Sequence, residues 1–593
     1  MADMKGAELI VDFLIKKKVP YVFGLCGHGI LGFLDAVYDR QDELKPISVH
    51  HEASAAFMAD AYYRVSQQPV ATFTSCGPGS VNLTLAIASA FMDSSALLAI
   101  TGNVPTSQWN RGPFQETGRY FQGDFVNVLR PYVKRSFQPT RTDMLPLALR
   151  QSFNTMTTGR PGPVHLDVPL NVFVETLESA SAERESWNSH SSSAAGDPSA
   201  LREALRLLRE AERPVIVVGH GVELSRAEIE LQQFAEHMKI PVATTPLGKG
   251  VFDARHWLSL GATGRNGTYM ANAACRNADV ILALGTRFDD RSTSAWLPGF
   301  TYSIPPTKLI HVDIDPSELG KNYPATVGIL GDARIVLRQL LEASAQEQST
   351  SNQEPWRQRI SIWREKWKAH IDSNTFSEAV PIHPARVVSE LRAALPEDGI
   401  VLSDVGVHHN WLISEFETYR SRTLLQSYGF ASMGFGIAGA LGAKLAAPER
   451  PVVSVCGDGG FLMLPSPVAT AVEYNIPVVW LVWNNYGYAS IRDQQIGYFG
   501  AGREVATSFT HAASGSLISA DYAAMARSMG ASGVTVERPQ DLGEQLRLAI
   551  NSGRPTVLDV RVDREIRPTA TASWDLPPLP YPLPNFGWQE DDQ

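Results

Sequence analysis

CGDGGFLMLPSPVATAVEYNIPVVWLVWNN, Cys456 to Asn485, is the stretch that decides the fold. The run before its first turn, Pro451 to Val455 (PVVSV), reads as a buried strand, followed by a Gly457–Asp458–Gly459–Gly460 turn and the helix-compatible segment ATAVEYN. Pro477 to Trp483 (PVVWLVW) reads as a second buried strand, ending at Asn484–Asn485–Tyr486–Gly487. A strand–helix–strand unit returns both strand ends to one edge of a parallel sheet, where open α/β folds bind ligands. Asp458 and Asn485, 27 positions apart (485 − 458), then offer two hard oxygen ligands of the kind Mg²⁺ takes. Either turn alone reads as an ordinary loop; their joint spacing between two buried strands carries the metal reading.

A GDG followed by NN at this distance resembles the diphosphate-binding motif of thiamin-diphosphate enzymes. The resemblance implies that Asp458, Asn485 and the Gly487 carbonyl hold Mg²⁺, with Gly457, Gly459 and Gly460 in the diphosphate turn. A second half of the signature lies upstream. HHEASAAFMADAYYR (His50 to Arg64) places Glu52 at the opening of a small-residue helix. SCGPGSVNL (Ser75 to Leu83) resembles the Gly-Pro-Gly turn, here with Gly77, of the family's pyrimidine-binding domain. By that likeness Glu52 bonds the aminopyrimidine ring nitrogen and activates the cofactor, a task of proton exchange with a weakly basic nitrogen that suits a carboxylate. Taken alone, Glu52 is a first-turn acid favoured by the helix dipole.

Composition fits a large enzyme. A chain of 593 residues, 44% hydrophobic, is long enough for about three to four domains with full cores. Its net charge of −10 argues against nucleic acid as a generic partner. No apolar run reaches membrane-span length, and Met1 to Lys18 is amphipathic and charged rather than a signal core, so no membrane is expected. Cys26, Cys76, Cys275 and Cys456 form no CxxC pair, which implies neither zinc nor a disulfide framework and points to a cytoplasmic setting.

Two polar stretches, Glu178 to Ala200 and Glu342 to Glu354, read as linkers. They divide the chain into residues 1–178, 200–340 and 380–565, with a Pro-rich tail over 566–593. Each block repeats buried strand then amphipathic helix, so the expected fold is α/β with three doubly wound parallel-sheet domains, which the resemblance implies to be pyrimidine-binding, central Rossmann-like and diphosphate-binding. The two outer blocks read as distantly related sheets.

The middle block carries a second resemblance, to acetohydroxyacid (acetolactate) synthases, through ADVILALGTRFDDRSTSAW (Ala278 to Trp296), HVDIDPSELGKN (His311 to Asn322) and GDARIVL (Gly331 to Leu337). It implies that Arg287, Asp313 and Asp332 contact FAD, with Gly221, Thr245 and Gly285 allowing close backbone approach. An acid at a strand end can bind ribose hydroxyls, and glycine turns let N–H groups reach a pyrophosphate. A spacer that binds ADP or no nucleotide fits the same pattern. GPFQE (Gly112 to Glu116) is similar to the synthase's active-site loop, which makes Phe114 and Gln115 pocket residues. YGFASMGFGIAGALGAK (Tyr428 to Lys444) resembles the segment whose Met, here Met433, props thiamin into its bent form; SDVGVHHNW (Ser403 to Trp411) resembles the loop that binds the diphosphate from the other side, with His408 at the family's histidine.

Departures bear on the substrate. Leu170 stands where biosynthetic synthases have lysine, Val407 where they have glutamine, and the run Tyr486 to Gly500 lacks their acceptor-pocket tryptophan. In LCGHGILG (Leu25 to Gly32), His28 follows a Gly turn at a strand end, where related decarboxylases and lyases place a reactive side chain and thiamin-dependent hydrolases of cyclic diones carry a similar Gly-His-Gly. Histidine there can shuttle protons near neutral pH; a capping or core histidine is the alternative. A nucleophile pair of Cys26 with His28 lacks a third orienting group.

The resemblance as a whole implies a thiamin-diphosphate- and Mg²⁺-dependent decarboxylation of a 2-oxo acid, pyruvate foremost, and carboligation of the resulting enamine to a second carbonyl. Small 2-oxo acids, aldehydes or ketones are the expected partners. The two halves of each site would come from different subunits of a homodimer or homotetramer. A hydrolase or lyase of a diketone or acyloin, a non-oxidative decarboxylase, a 2-oxo acid oxidase, a flavoprotein using only its middle block and a non-catalytic subunit are the alternatives.

Overall fold

A computed structural model describes residues 3–115, 124–177, 194–345, 351–569 and 571. Most of the Pro-rich tail, and much of each linker, lies outside the described residues. Three six-stranded sheets form, and every pairing within them is parallel. Parallel sheets are covered on both faces, so their strands are continuous apolar runs rather than alternating ones. Val479–Asn484 is buried at every position, as is Leu98–Asn103.

The N-terminal sheet runs, in spatial order, Lys45–Ser48, Tyr21–Gly24, Ala71–Thr74, Leu98–Asn103, Val164–Pro169 and Arg135–Phe137. The C-terminal sheet runs Leu424–Gln426, Ile400–Ser403, Val452–Gly457, Val479–Asn484, Thr556–Arg561 and Ser532–Val536. Numbered along the chain, both have the strand order 2-1-3-4-6-5, the structural form of the kinship expected between the outer blocks. The central sheet has order 3-2-1-4-5-6, with Pro214–Val218 beside Val280–Leu284 at the point where the winding reverses. Ligand crevices in such sheets open beyond the strand ends at that reversal.

The outer domains pack directly on each other through the Glu52–Ser66 and Phe435–Ala446 helices. Small residues allow this close approach: a β-carbon on Gly442 would lie 1.9 Å from the Met58 carbonyl oxygen. A buried ionic node closes the same interface. Arg64 binds Asp60 at 2.7 Å and Asp93 at 3.1 Å, and Asp93 accepts the backbone N–H groups of Tyr428 and Gly429 at 3.0 and 2.8 Å.

Two elements differ from the sequence expectation. The Gly457–Gly460 turn is instead the entry to a short helix, Asp458–Met463, and the Asp458 carboxylate accepts the first-turn N–H of Gly459. Between the central and C-terminal blocks, Glu354–Thr375 forms a 22-residue helix. Its buried face is the stripe Trp356, Ile360, Trp363 and Trp367 in an otherwise charged segment, too narrow to stand out by composition.

Candidate active site

Asp458 follows Val452–Gly457 at the reversal of the C-terminal sheet, and Asn485 follows the next strand, Val479–Asn484. The Asp458 carboxylate accepts the Gly459 N–H at 2.8 Å and the Gly487 N–H at 3.0 Å, so it already spans both turns. Burial pushes it up to about 7, against the pull of those backbone donors. A buried carboxylate that pays this desolvation cost is a site where a divalent cation would restore the charged form. Asn484 ends the strand and donates its Nδ2 to Asp559 at 2.7 Å and Ser519 at 2.8 Å, whereas the buried Asn485 opens the loop that Asp458 bridges and is the ligand candidate. Gly487 has φ +146°, and a β-carbon there would sit 2.1 Å from the Thr507 carbonyl oxygen, so the loop closes only with glycine.

The preceding strand, Ile400–Ser403, delivers Asp404 and His408 to the same crevice. Asp404 is wholly buried; its Oδ1 accepts the N–H groups of Gly434 at 2.8 Å and Gly436 at 3.1 Å, and its Oδ2 has no partner among the described residues. A β-carbon on Gly460 would lie 2.6 Å from that oxygen. Burial lifts this carboxyl to about 7. The Asp404 carbonyl accepts from His408 Nε2 at 2.9 Å, and burial lowers His408 to about 4, so the ring is neutral with its one N–H on that carbonyl. Met433 is half-buried in the loop next to Gly434. Val407 opens the His408 helix and is itself buried.

In the N-terminal domain Glu52 is the first residue of its helix and is 9% exposed. Its Oε2 accepts from Asn82 Nδ2 at 3.0 Å, and Gly79 of the Gly-Pro-Gly turn lies so near that a β-carbon would be 3.3 Å from Oε1. Gly77, at φ +61°, touches the Gln115 backbone. His28 lies across the sheet reversal from this turn: its Nε2 is 3.4 Å from Cys76 Sγ, and its ring is 6.1 Å from that of Phe114. Thus His28, Gly77, Phe114 and Gln115 form one group, with Glu52 on the far side of the same turn. Among the described residues, no hydrogen bond or ion pair joins Glu52 to Asp458 within the chain. Beyond Asn485, the run without a tryptophan forms the helix Ala489–Phe499, pinned by the buried Arg492 to Glu504 at 3.1 Å and Glu565 at 2.9 Å.

The central crevice, with a volume of about 260 Å³, is lined by Gly221, Thr245, Gly285, Arg287, Asp313 and Asp332 together. Gly219, Gly221 and Gly285 form a cradle: a β-carbon on Gly221 would be 2.6 Å from Gly285 Cα. Asp313 ends Lys308–Asp313, and burial raises its carboxyl to about 6. Asp332 caps the helix Ala333–Ser344 through Arg334 and Ile335 N–H, so its carboxylate is partly spent on the fold. Arg287 donates to the Met92 carbonyl at 2.7 Å.

Family profiles match the chain in three places: residues 4–122 as the thiamine pyrophosphate enzyme N-terminal TPP binding domain, 201–340 as the central domain and 404–560 as the C-terminal TPP binding domain. The chain is 38% identical to the probable acetolactate synthase large subunit of Methanocaldococcus jannaschii over 94% of its own length and 92% of that protein. It is 34% identical to the acetolactate synthase isozyme 3 large subunit of Escherichia coli (strain K12), over 95% and 96% of the two chains. This chain is a thiamin pyrophosphate enzyme of the acetolactate synthase large-subunit family.

As a thiamin pyrophosphate enzyme it has a donor set of hard oxygens at Asp458 and Asn485 that fits a cation–diphosphate unit, and a glycine cradle in the central crevice that fits a nucleotide pyrophosphate. Three residues of these crevices escaped the sequence reading. Asp404 had a signal, an acid directly after a buried strand. Cys76 and Arg160 had none, because both depend on loops meeting across a sheet or between domains; Arg160 lines the central crevice and binds Ser94 at 2.8 Å.

Proposed function

We propose that this chain is a thiamin-diphosphate- and Mg²⁺-dependent enzyme that removes CO₂ from a 2-oxo acid, pyruvate foremost, and joins the remaining carbon unit to a second carbonyl. The observation that carries this is the Asp458 carboxylate bridging to the Asn485–Gly487 loop at adjacent strand ends. Asp458, Asn485 and the Gly487 carbonyl would hold the metal, and Met433, fixed beside Gly434, would support the bent cofactor. When bound, thiamin diphosphate supplies the electron sink for decarboxylation and carbon–carbon bond formation. Glu52, with Oε2 held by Asn82, exchanges a proton at the aminopyrimidine ring nitrogen. His28 and Gln115 serve the acceptor side, His28 lending a proton to the developing oxyanion and Gln115 orienting the carbonyl. Phe114, exposed beside the His28 ring, would pack against the bound substrate.

FAD is the nucleotide proposed for the central crevice: Asp313 would take its ribose hydroxyls, the Gly219–Gly221 and Gly285 turns its pyrophosphate. Its place is structural, because decarboxylation and carboligation involve no net redox change. Glu52 and Asp458 would meet across the interface of a homodimer, doubled in a homotetramer. No helix among the described residues is long and apolar enough to cross a membrane, and all four cysteines are free, which supports a cytoplasmic setting. Incubation of the holoenzyme with pyruvate, alone and with aldehyde or ketone acceptors, followed by mass-spectrometric product identification, tests this reading. An acetolactate-type product supports it. No turnover of any 2-oxo acid, with turnover of a 1,2-dione, overturns it.

A further inference from the structure

The N-terminal sheet reverses between Tyr21–Gly24 and Ala71–Thr74, the same topological place at which the C-terminal sheet presents Asp404 and Asp458. The loops beyond those two strands are fitted to one another with glycines. A β-carbon on Gly27 would lie 2.4 Å from Ser75 Cβ, one on Gly29 3.0 Å from Cys76 Sγ, and one on Gly102 2.2 Å from the Gly29 carbonyl oxygen. The Gly29 N–H also donates to Ser75 Oγ at 3.2 Å. Backbone contacts therefore lock the His28 loop onto the Ser75–Gly77 loop. The side chain at the centre of the junction is Cys76, 1% exposed, with Sγ 3.4 Å from His28 Nε2 and 3.9 Å from Gln115 Oε1. Cys26, two residues from His28 in sequence, is exposed, whereas Cys76 is buried.

We propose that Cys76 is a positioning residue that holds His28 by Nε2 and sets which ring nitrogen carries the proton offered to the acceptor carbonyl. A neutral imidazole has one N–H, and the partner of one nitrogen decides the role of the other. With the thiol donating to Nε2, the N–H is on Nδ1. With the thiol donating to Gln115 Oε1, Nε2–H donates to sulfur and Nδ1 is an acceptor. The junction thus has two self-consistent hydrogen arrangements that differ by moving the proton from one face of His28 to the other, with Gln115 taking part in the exchange. Among the described residues no carboxylate or cation pairs with His28; the groups that face it include the Cys76 thiol and the Phe114 ring, with the Gln115 amide and the Ser75 hydroxyl, which donates to Sγ at 3.8 Å, acting through that thiol.

The inference rests on the proton-transfer role given to His28 above, and the test separates the two. In the holoenzyme, Cys76→Ala, Cys76→Ser, His28→Ala and the double variant are compared for the pH profile of carboligation and for thiamin diphosphate affinity. Cys76→Ala is expected to lower kcat roughly tenfold and to move the limb of the profile that His28→Ala abolishes. Thiamin diphosphate affinity should change little, and Cys76→Ser, whose hydroxyl donates and accepts at the same place, should recover most of the rate. The double variant should match His28→Ala. If His28→Ala is impaired while Cys76→Ala keeps the wild-type rate and profile, the pairing is overturned and the role of His28 stands. If His28→Ala itself behaves as wild type, both fall. Should Cys76→Ala fail to fold, ¹⁵N spectra of His28 in Cys76→Ser and wild type decide: tautomer populations identical in the two and unaffected by Gln115→Ala overturn the proposal, and a shift supports it.

Discussion

The Asp404 carboxylate accepts the Gly434 N–H at 2.8 Å while its carbonyl accepts from His408 at 2.9 Å. One buried residue thereby joins the first turn of the His408 helix to the loop that carries Met433.

Asp404→Ala should therefore weaken thiamin diphosphate binding in Mg²⁺ by roughly ten- to a hundredfold, the scale of losing one or two buried hydrogen bonds. Asp404→Asn keeps an acceptor oxygen for Gly434 and Gly436 and should bind within a few-fold of wild type. Calorimetric titration checks both, and equal affinities for Ala and wild type would rule out the tether.

The Asp60–Arg64–Asp93 node predicts a large stability effect. Arg64→Ala leaves two carboxylates buried beside each other and should cost about 3–5 kcal/mol, read from denaturant midpoints. Adding Asp60→Asn and Asp93→Asn to Arg64→Met should recover part of that loss, because no buried charge is then left unpaired.

His165 is wholly buried between Thr101 and Ser136 hydroxyls, and burial lowers it from 6.5 to about 3. The unfolded chain takes up a proton below about 6.5 that the folded chain refuses until about 3. The neutral fold is thus favoured above 6.5, and stability falls as pH drops through that window, by at most about 1.4 kcal/mol per pH unit from this group. Denaturation midpoints at pH 7, 6 and 5 should show the decline, with a shallower slope in His165→Asn.

The extent to which all this was legible in the chain differs by element. Asp458 and Asn485 were visible because turn residues sit at the ends of two strongly apolar runs, and strand–helix–strand connectivity leaves such ends on one edge. Gly221, Gly285 and Asp313 were visible through the resemblance to acetohydroxyacid synthases, and they line one crevice. The Cys76–His28 contact was not, since neighbours across a sheet reversal are 48 positions apart and nothing local marks them. The Glu354–Thr375 helix was passed over because three tryptophans and an isoleucine make only one narrow stripe.

The proposed sharing of each site between two subunits predicts complementation. Glu52→Gln and Asp458→Ala should each be nearly inactive alone, while subunit exchange between them rebuilds one intact site in each mixed dimer. Random mixing should then restore on the order of one quarter of wild-type activity. A mixture that remains inactive, with mixed dimers shown by native mass spectrometry, would place both residues of a site in one chain.

The most direct measurement of the central claim is turnover of pyruvate by wild type and Glu52→Gln, each saturated with thiamin diphosphate and Mg²⁺. The account predicts an acetolactate-type product from wild type and a fall of about two to four orders of magnitude in kcat for Glu52→Gln, with the cofactor still bound. Wild-type turnover by Glu52→Gln would contradict it.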